Sequence, residues 1–284
     1  ARAPASRKSW AEWAFGAAKS SPEPELAPAD ARKSRPLRAA FSFLAHSILR
    51  GVSGVRPIFD PQAVPVTGVD AHLPALPAAL MEAQALRRHF ASVPLAPPEW
   101  PGDGGRFPGL SPRQAAVLVP LVDRPEGVSV LLTRRTEQLR HHAGQISFPG
   151  GGMDAADADA WATACREARE EIGLPGECIE PIGQLPVYGT VTAYQVTPCI
   201  GLVQPGFPLQ LQASEVAEVF EVPLDYLMQP AHHRRHRVVL PGLSREFLSM
   251  PWTDGSGRER FIWGATAAML RNLYHQLSQG PASL

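Results

Sequence analysis

The sequence predicts an α/β chain, an α/β/α sandwich around a mixed central sheet, and a few local patterns carry that reading. Two β-type apolar runs, Ala115 to Leu121 and Val128 to Thr133, are joined by Asp123-Arg124-Pro125-Glu126-Gly127 and read as a hairpin. A glycine stretch, Gly150-Gly151-Gly152, leads into an amphipathic segment from about Ala160 to Ile172. A second helical segment, from about Gly264 to Leu277, carries Ala268, Leu270, Leu273 and Leu277. Ala217 to Val222 and Phe247 to Met250 are expected as further strands.

Within the first helical segment, a layout of about 100° per residue puts Trp161, Ala164, Cys165, Ala168 and Ile172 on an apolar arc. Glu167, Glu170 and Glu171 fall on a neighbouring arc, with Arg166 and Arg169 on the remaining side. Like charges three and four residues apart cost a helix roughly 0.2–0.5 kcal/mol per pair. These acids therefore need full hydration or a cation among them. A solvated face is the plain alternative, but the acids border a core-facing stripe behind a glycine-rich turn. Hard cations such as Mg2+ take carboxylate oxygens and keep waters and substrate phosphates as further ligands. Glycines 150 to 152 are expected to use positive φ and to let backbone approach a ligand.

These residues resemble the box of the Nudix hydrolases. The second half matches throughout, as Arg166-Glu167-Ala168-Arg169-Glu170-Glu171-Ile172-Gly173-Leu174. The first half departs: counted from Gly152 the leading acid of the box falls on Ala158, and counted from Gly151 on Asp157. Upstream, Leu131-Leu132-Thr133-Arg134-Arg135-Thr136 runs through Arg140 and Gly144 into Phe148-Pro149-Gly150-Gly151. That pattern is similar to the signature of coenzyme A pyrophosphatases, with Thr136 in place of the usual Ser or Ala. The resemblance covers roughly residues 75 to 280.

The resemblance implies a hydrolase that cleaves the diphosphate of coenzyme A or its thioesters, releasing 3′,5′-ADP and (acyl-)phosphopantetheine. It implies Mg2+ or Mn2+ held by Glu167, Glu170 and Glu171, with Arg166 pinning the glycine loop to the helix. Catalytic roles are expected for Glu170 and Glu215, the latter as first candidate for the general base and Glu218 as the next. An ordinary loop acid is the plain reading of Glu215. Arg135 and Arg140 are expected at substrate phosphates, because guanidinium forks grip phosphate oxygens bidentately, with Gly150 and Gly151 beside them. Strand alternation sends Arg134 to the other face and to solvent. His141 and His142 either touch a ligand or sit in a polar loop. Two other readings stay open: the same chemistry on ADP-ribose, a dinucleotide or a nucleoside triphosphate, and a catalytically silent domain that senses a nucleotide.

Charge balances at 27 basic against 27 acidic residues over 284, so no global attraction to polyanions and no nucleic-acid partner are expected; the resemblance implies a small-molecule substrate. The run His232-His233-Arg234-Arg235-His236-Arg237 reads plainly as a solvated loop between helix and strand, with contact to the 3′-phosphate of coenzyme A or to nucleic acid as the alternatives. Residues 1–56 form a basic, Pro- and Ala-rich extension expected to be largely disordered, ahead of a domain over 75–280. Cys165, Cys178 and Cys199 are too scattered for a disulfide framework, which makes a reducing cytoplasm the default. Cys165 is expected in the core. No apolar run approaches the roughly 18 residues of a membrane span, so no membrane partner is expected.

Overall fold

The computed structural model describes residues 60–103, 111–137, 144–190, 193–240 and 243–280. The extension read over 1–56, together with Arg140, His141 and His142, lies outside the described residues.

The elements run in the order β1 (Val66–Val69), α1 (Ala83–Ser92), β2 (Arg113–Arg124), β3 (Gly127–Arg135), β4 (Ile146–Ser147), β5 (Gly150–Gly152) and α2 (Ala160–Ile172). There follow β6 (Ile179–Gln184), β7 (Tyr188–Gly189), β8 (Tyr194–Val203), β9 (Val216–Pro223) and the short α3 (Leu224–Leu227). The last elements are β10 (Arg234–Leu240), β11 (Leu243–Thr253), β12 (Glu259–Trp263) and α4 (Gly264–Leu277). The central sheet has the order β4-β3-β2-β8-β6, with β5 added on β2, β7 on β8 and β9 on β3. β2 and β8 run parallel while β2 and β3 form an antiparallel hairpin, so the sheet is mixed.

Alternation along β2 decides which core each residue enters. Ala116, Leu118 and Val122 pack with Ala164, Ala168 and Ile172 of α2. Ala115, Val119 and Leu121 face the other way, into a larger core shared with Leu86 of α1, Leu224 and Leu227 of α3, and Leu270 and Leu273 of α4. Helices on both faces of a mixed sheet make the α/β/α sandwich.

Helix α2 begins where Asp159 accepts from the Ala162 N–H at 2.7 Å. It stops at Gly173, whose φ of 71° is a left-handed cap. Its extent and that of α4 coincide with the segments expected from periodicity.

A second, antiparallel sheet has the order β1-β10-β11-β12, and of its strands only β11 was expected, through Phe247 to Met250. It corrects the reading of the His232–Arg237 run, most of which is strand rather than loop. His236 is buried, stacked on Phe247 at 4.7 Å between centroids, and bonded to Ser249 Oγ at 2.8 Å. Arg235 pairs with the buried Asp70 at 2.6 Å. Partners distant in sequence, not local composition, hold these polar residues. Because β1 pairs with β10, the folded body also reaches upstream of residue 75. Among the described residues no helix is long and apolar enough to cross a membrane.

Candidate active site

The glycine stretch is a strand, which corrects the expectation of a positive-φ turn. Gly150, Gly151 and Gly152 pair with Val117, Ala116 and Ala115 of β2, and none of them is among the positive-φ residues. At Gly150 and Gly151 the glycine character comes from crowding. A Cβ on Gly150 would stand 2.5 Å from the Ala116 carbonyl oxygen and 2.7 Å from Val117 Cα, and one on Gly151 would meet the Glu167 carboxylate.

Arg166 links this strand to α2. Its Nη2 donates to the Gly152 carbonyl at 3.0 Å and to Asp157 Oδ2 at 2.9 Å, while Nη1 donates to Glu167 Oε1 at 2.9 Å and lies 3.5 Å from Glu170 Oε2. The helical layout had set Arg166 apart from the acids; its long side chain instead reaches across to them. Asp157 is held down to about 2, chiefly by the Arg166 hydrogen bond against the cost of burial, with further bonds from the Asp154 N–H and the Thr163 hydroxyl. Asp157 therefore braces the loop ahead of the helix.

The three box glutamates occupy different environments. Glu167 and Glu171 are buried, at 8% and 5% exposure, whereas Glu170 is exposed. Glu171 accepts from the Gly150 N–H at 3.3 Å, and Arg135 Nη1 stands 3.9 Å from its Oε1. Burial pushes its carboxyl up to about 8; Arg135 opposes that rise, while the charges of Glu167 and Glu215 add to it. Among the described residues, no three acidic, histidine or cysteine side chains converge tightly enough to hold an ion by themselves. The expected carboxylate trio is thus not one cluster. Buried carboxylate oxygens beside an open cleft do fit Mg2+ or Mn2+, hard ions bound through one or two carboxylates with waters and phosphate oxygens completing the set.

That cleft, of about 260 Å3, is lined by Glu170, Glu171, Gln212 and Glu215. Glu215, immediately before β9, is thereby brought together with two of the box acids. Gln212 was missed from the sequence; it lies on a segment without periodicity, and its N–H bonds the Glu171 carbonyl at 2.9 Å. Arg135 ends β3 on the α2 side, and its buried Nε has no hydrogen-bond partner. Gly150 and Gly151 lie behind the acids, the former with its N–H on Glu171 and the latter against Glu167.

Arg134, on the opposite face, is ion-paired rather than merely solvated, at 3.1 Å from Glu137 and 3.2 Å from Glu218. Glu218 also receives Arg258 and Arg260, the latter at 2.7 Å. Burial raises the Glu218 carboxyl, but the hydrogen bond and charge of Arg260, with Arg258 and Arg134, outweigh it and hold the group below the usual glutamate range. An acid so paired is poorly suited to take a proton. Cys165 packs against the α2 core, and burial pushes its thiol up, away from the nucleophilic thiolate.

A glycine strand and a helix that set Glu170 and Glu171 with Glu215 around a cleft, with Arg135 beside Glu171, suit a hard cation and phosphate oxygens. The family model described as NUDIX domain matches residues 112–243. The protein named uncharacterized Nudix hydrolase NudL from Salmonella paratyphi B is 43% identical over 173 residues, 61% of this chain and 86% of that relative. The chain belongs to the Nudix hydrolases, enzymes that act on pyrophosphate bonds and generally use divalent metal ions. Among solved structures, a Caenorhabditis elegans Ap4A hydrolase aligns at a TM-score of 0.35 and 20% identity, covering 42% of this chain and 85% of that one. The NUDIX domain of Shewanella oneidensis NrtR complexed with ADP ribose aligns at 0.34 and 19%, covering 43% and 79%.

Proposed function

We propose that this Nudix hydrolase cleaves the diphosphate of coenzyme A or its thioesters, giving 3′,5′-ADP and (acyl-)phosphopantetheine. The observation that carries the reading is Arg135. It belongs to the Leu131–Thr136 stretch that resembles the coenzyme A pyrophosphatase signature, and it stands 3.9 Å from Glu171 with a buried, unpartnered Nε.

Glu167 and Glu171, with Glu170 at the rim, are the residues that would hold Mg2+ or Mn2+. Bound there, the ion lowers the pKa of a water and neutralises charge on phosphate oxygens. Arg135 binds phosphate oxygens, for which its fork geometry is suited, and Arg140 is assigned the same role from the signature alone. Gly150 and Gly151, assigned to the substrate from the signature, let the backbone lie close against β2 and the acids, with the Gly150 N–H on Glu171. Glu215 takes the proton of the attacking water, and its place beside Glu170 and Glu171 in the cleft supports that role. Arg166 acts through the loop, fixing Gly152 and Asp157 so that Glu167 stays in position.

The experiment is a substrate panel with Mn2+, comparing coenzyme A, an acyl-coenzyme A, ADP-ribose, a dinucleoside polyphosphate and a nucleoside triphosphate by product analysis. A higher kcat/KM on coenzyme A with 3′,5′-ADP as product is expected. Equal or better turnover of ADP-ribose or a triphosphate would reassign the substrate.

A further inference from the structure

The segment between β8 and β9 carries Glu215, and its position is set by bonds at both ends. At the near end the N–H groups of Gln210 and Gln212 donate to the Ile172 and Glu171 carbonyls, both at 2.9 Å, which satisfies carbonyls that the last helical turn leaves open. A tight turn follows, in which the N–H groups of Glu215 and Val216 both reach the Gln212 carbonyl, at 2.8 and 2.9 Å.

The far end is different. β9 pairs with β3 in register up to Glu218 opposite Arg134, and then slips, so that Val216 stands opposite Arg135 and Ala217 is passed over. Such a bulge bends a strand and re-aims the residues beyond it. Thr136, the next residue of β3's chain, is buried at 8% exposure. Its N–H donates to the Glu215 carbonyl at 3.0 Å, and its hydroxyl donates to the Ser214 carbonyl at 3.3 Å.

We propose that Thr136 is a positioning residue: its paired backbone and hydroxyl bonds lock the turn beyond the β9 bulge and so fix where the Glu215 carboxylate sits in the cleft. This rests on the reading of Glu215 as the base. Thr136 directly follows Arg135, so one short piece of chain sets both the phosphate-binding guanidinium and the proton acceptor. The hydroxyl is the component that a side-chain change can remove, because the N–H bond survives any substitution but proline.

The test uses Thr136→Val, which keeps the side-chain shape without the donor, and Thr136→Ser, which keeps the donor. Kinetics are measured on coenzyme A and on ADP-ribose with Mn2+, and amide hydrogen exchange is followed at Glu215 and Val216. Thr136→Val is expected to speed exchange at both amides and to lower kcat by about 3- to 10-fold, the worth of one hydrogen bond, with KM nearly constant. Thr136→Ser restores both, and in a Glu215→Gln background Thr136→Val lowers kcat no further. Unchanged exchange in Thr136→Val overturns the anchoring, and an equal kcat loss with or without Glu215 overturns the route through that carboxylate. Faster exchange with full turnover in both Thr136→Val and Glu215→Gln supports the anchoring and instead removes Glu215 as the base.

Discussion

The backbone N–H of Gly150 donates to Oε2 of Glu171 at 3.3 Å, tying strand β5 to the last turn of α2. Glu171→Gln keeps an oxygen for that bond but removes the charge. Turnover with Mn2+ should fall by roughly two to three orders of magnitude, the scale of losing one preorganised charge-stabilising group. The melting temperature should hold or rise, since an amide is cheaper to bury than a carboxylate. Steady-state kinetics beside thermal unfolding checks both, and a variant that keeps its kcat would remove Glu171 from the site.

Gly150→Ala and Gly152→Ala should behave oppositely, although the two glycines are two residues apart on one strand. The added methyl at Gly150 meets the backbone of Ala116 and Val117 at 2.5 and 2.7 Å, whereas nothing lies within 4 Å of the same atom at Gly152. Backbone of a central strand cannot step aside, so Gly150→Ala should cost on the order of 1–3 kcal/mol and lower activity by shifting Glu171. Gly152→Ala should stay within about 0.5 kcal/mol of the parent. Denaturant midpoints decide it; equal stability of the two would mean that β5 is not pressed against β2.

What the sequence disclosed and what it hid follows from the range of the interactions. Helices α2 and α4 were readable in place and extent because their apolar spacing is local. The β2–β3 hairpin was recognised, but each strand runs beyond the apolar stretch that announced it, into Arg124 and Arg135. The box acids stood out by type and spacing, yet spacing could not tell that Glu167 and Glu171 are buried while Glu170 is exposed. Glycine composition suggested a bend, where the cause is crowding by β2 and Glu167. Of the sheet built from β1 and β10 to β12 only β11 was announced, by Phe247 to Met250; the other strands stayed hidden, because polar residues there find partners far along the chain, as Arg235 does in Asp70.

His233 gives a pH dependence of stability unrelated to turnover. Its ring is fully buried, with Nε2 at 2.7 Å from the Leu227 carbonyl and Nδ1 at 3.1 Å from Arg271 Nη1. A carbonyl only accepts and a guanidinium only donates, so the ring is neutral with its proton on Nε2. Burial, chiefly, pushes the folded value from 6.5 down to about 4. The unfolded chain therefore binds a proton first as pH falls; the contribution is complete above about 6.5 and is lost progressively towards pH 4. Between pH 7 and pH 5 this amounts to about 2 kcal/mol. Urea midpoints should drop over that interval, and His233→Gln should flatten the drop. An identical slope in the variant would assign the effect to other groups.

Cation binding should be visible without any substrate. Glu167 and Glu171 are buried carboxylates whose nearest described countercharges are Arg166 at 2.9 Å and Arg135 at 3.9 Å. A hard ion that joins them binds the folded chain and not the unfolded one, so Mn2+ should raise the melting temperature in a concentration-dependent way. The stabilisation expected is about 2.7 kcal/mol at a hundred times Kd, and EDTA should reverse it. Glu167→Gln and Glu171→Gln should lose the increment, whereas Glu246→Gln, an exposed partner of Arg237 on the second sheet, should keep it. If all three variants gain as much as the parent, the ion binds elsewhere, because removing either buried charge from a site of one or two carboxylates leaves too little to displace the water of a divalent cation.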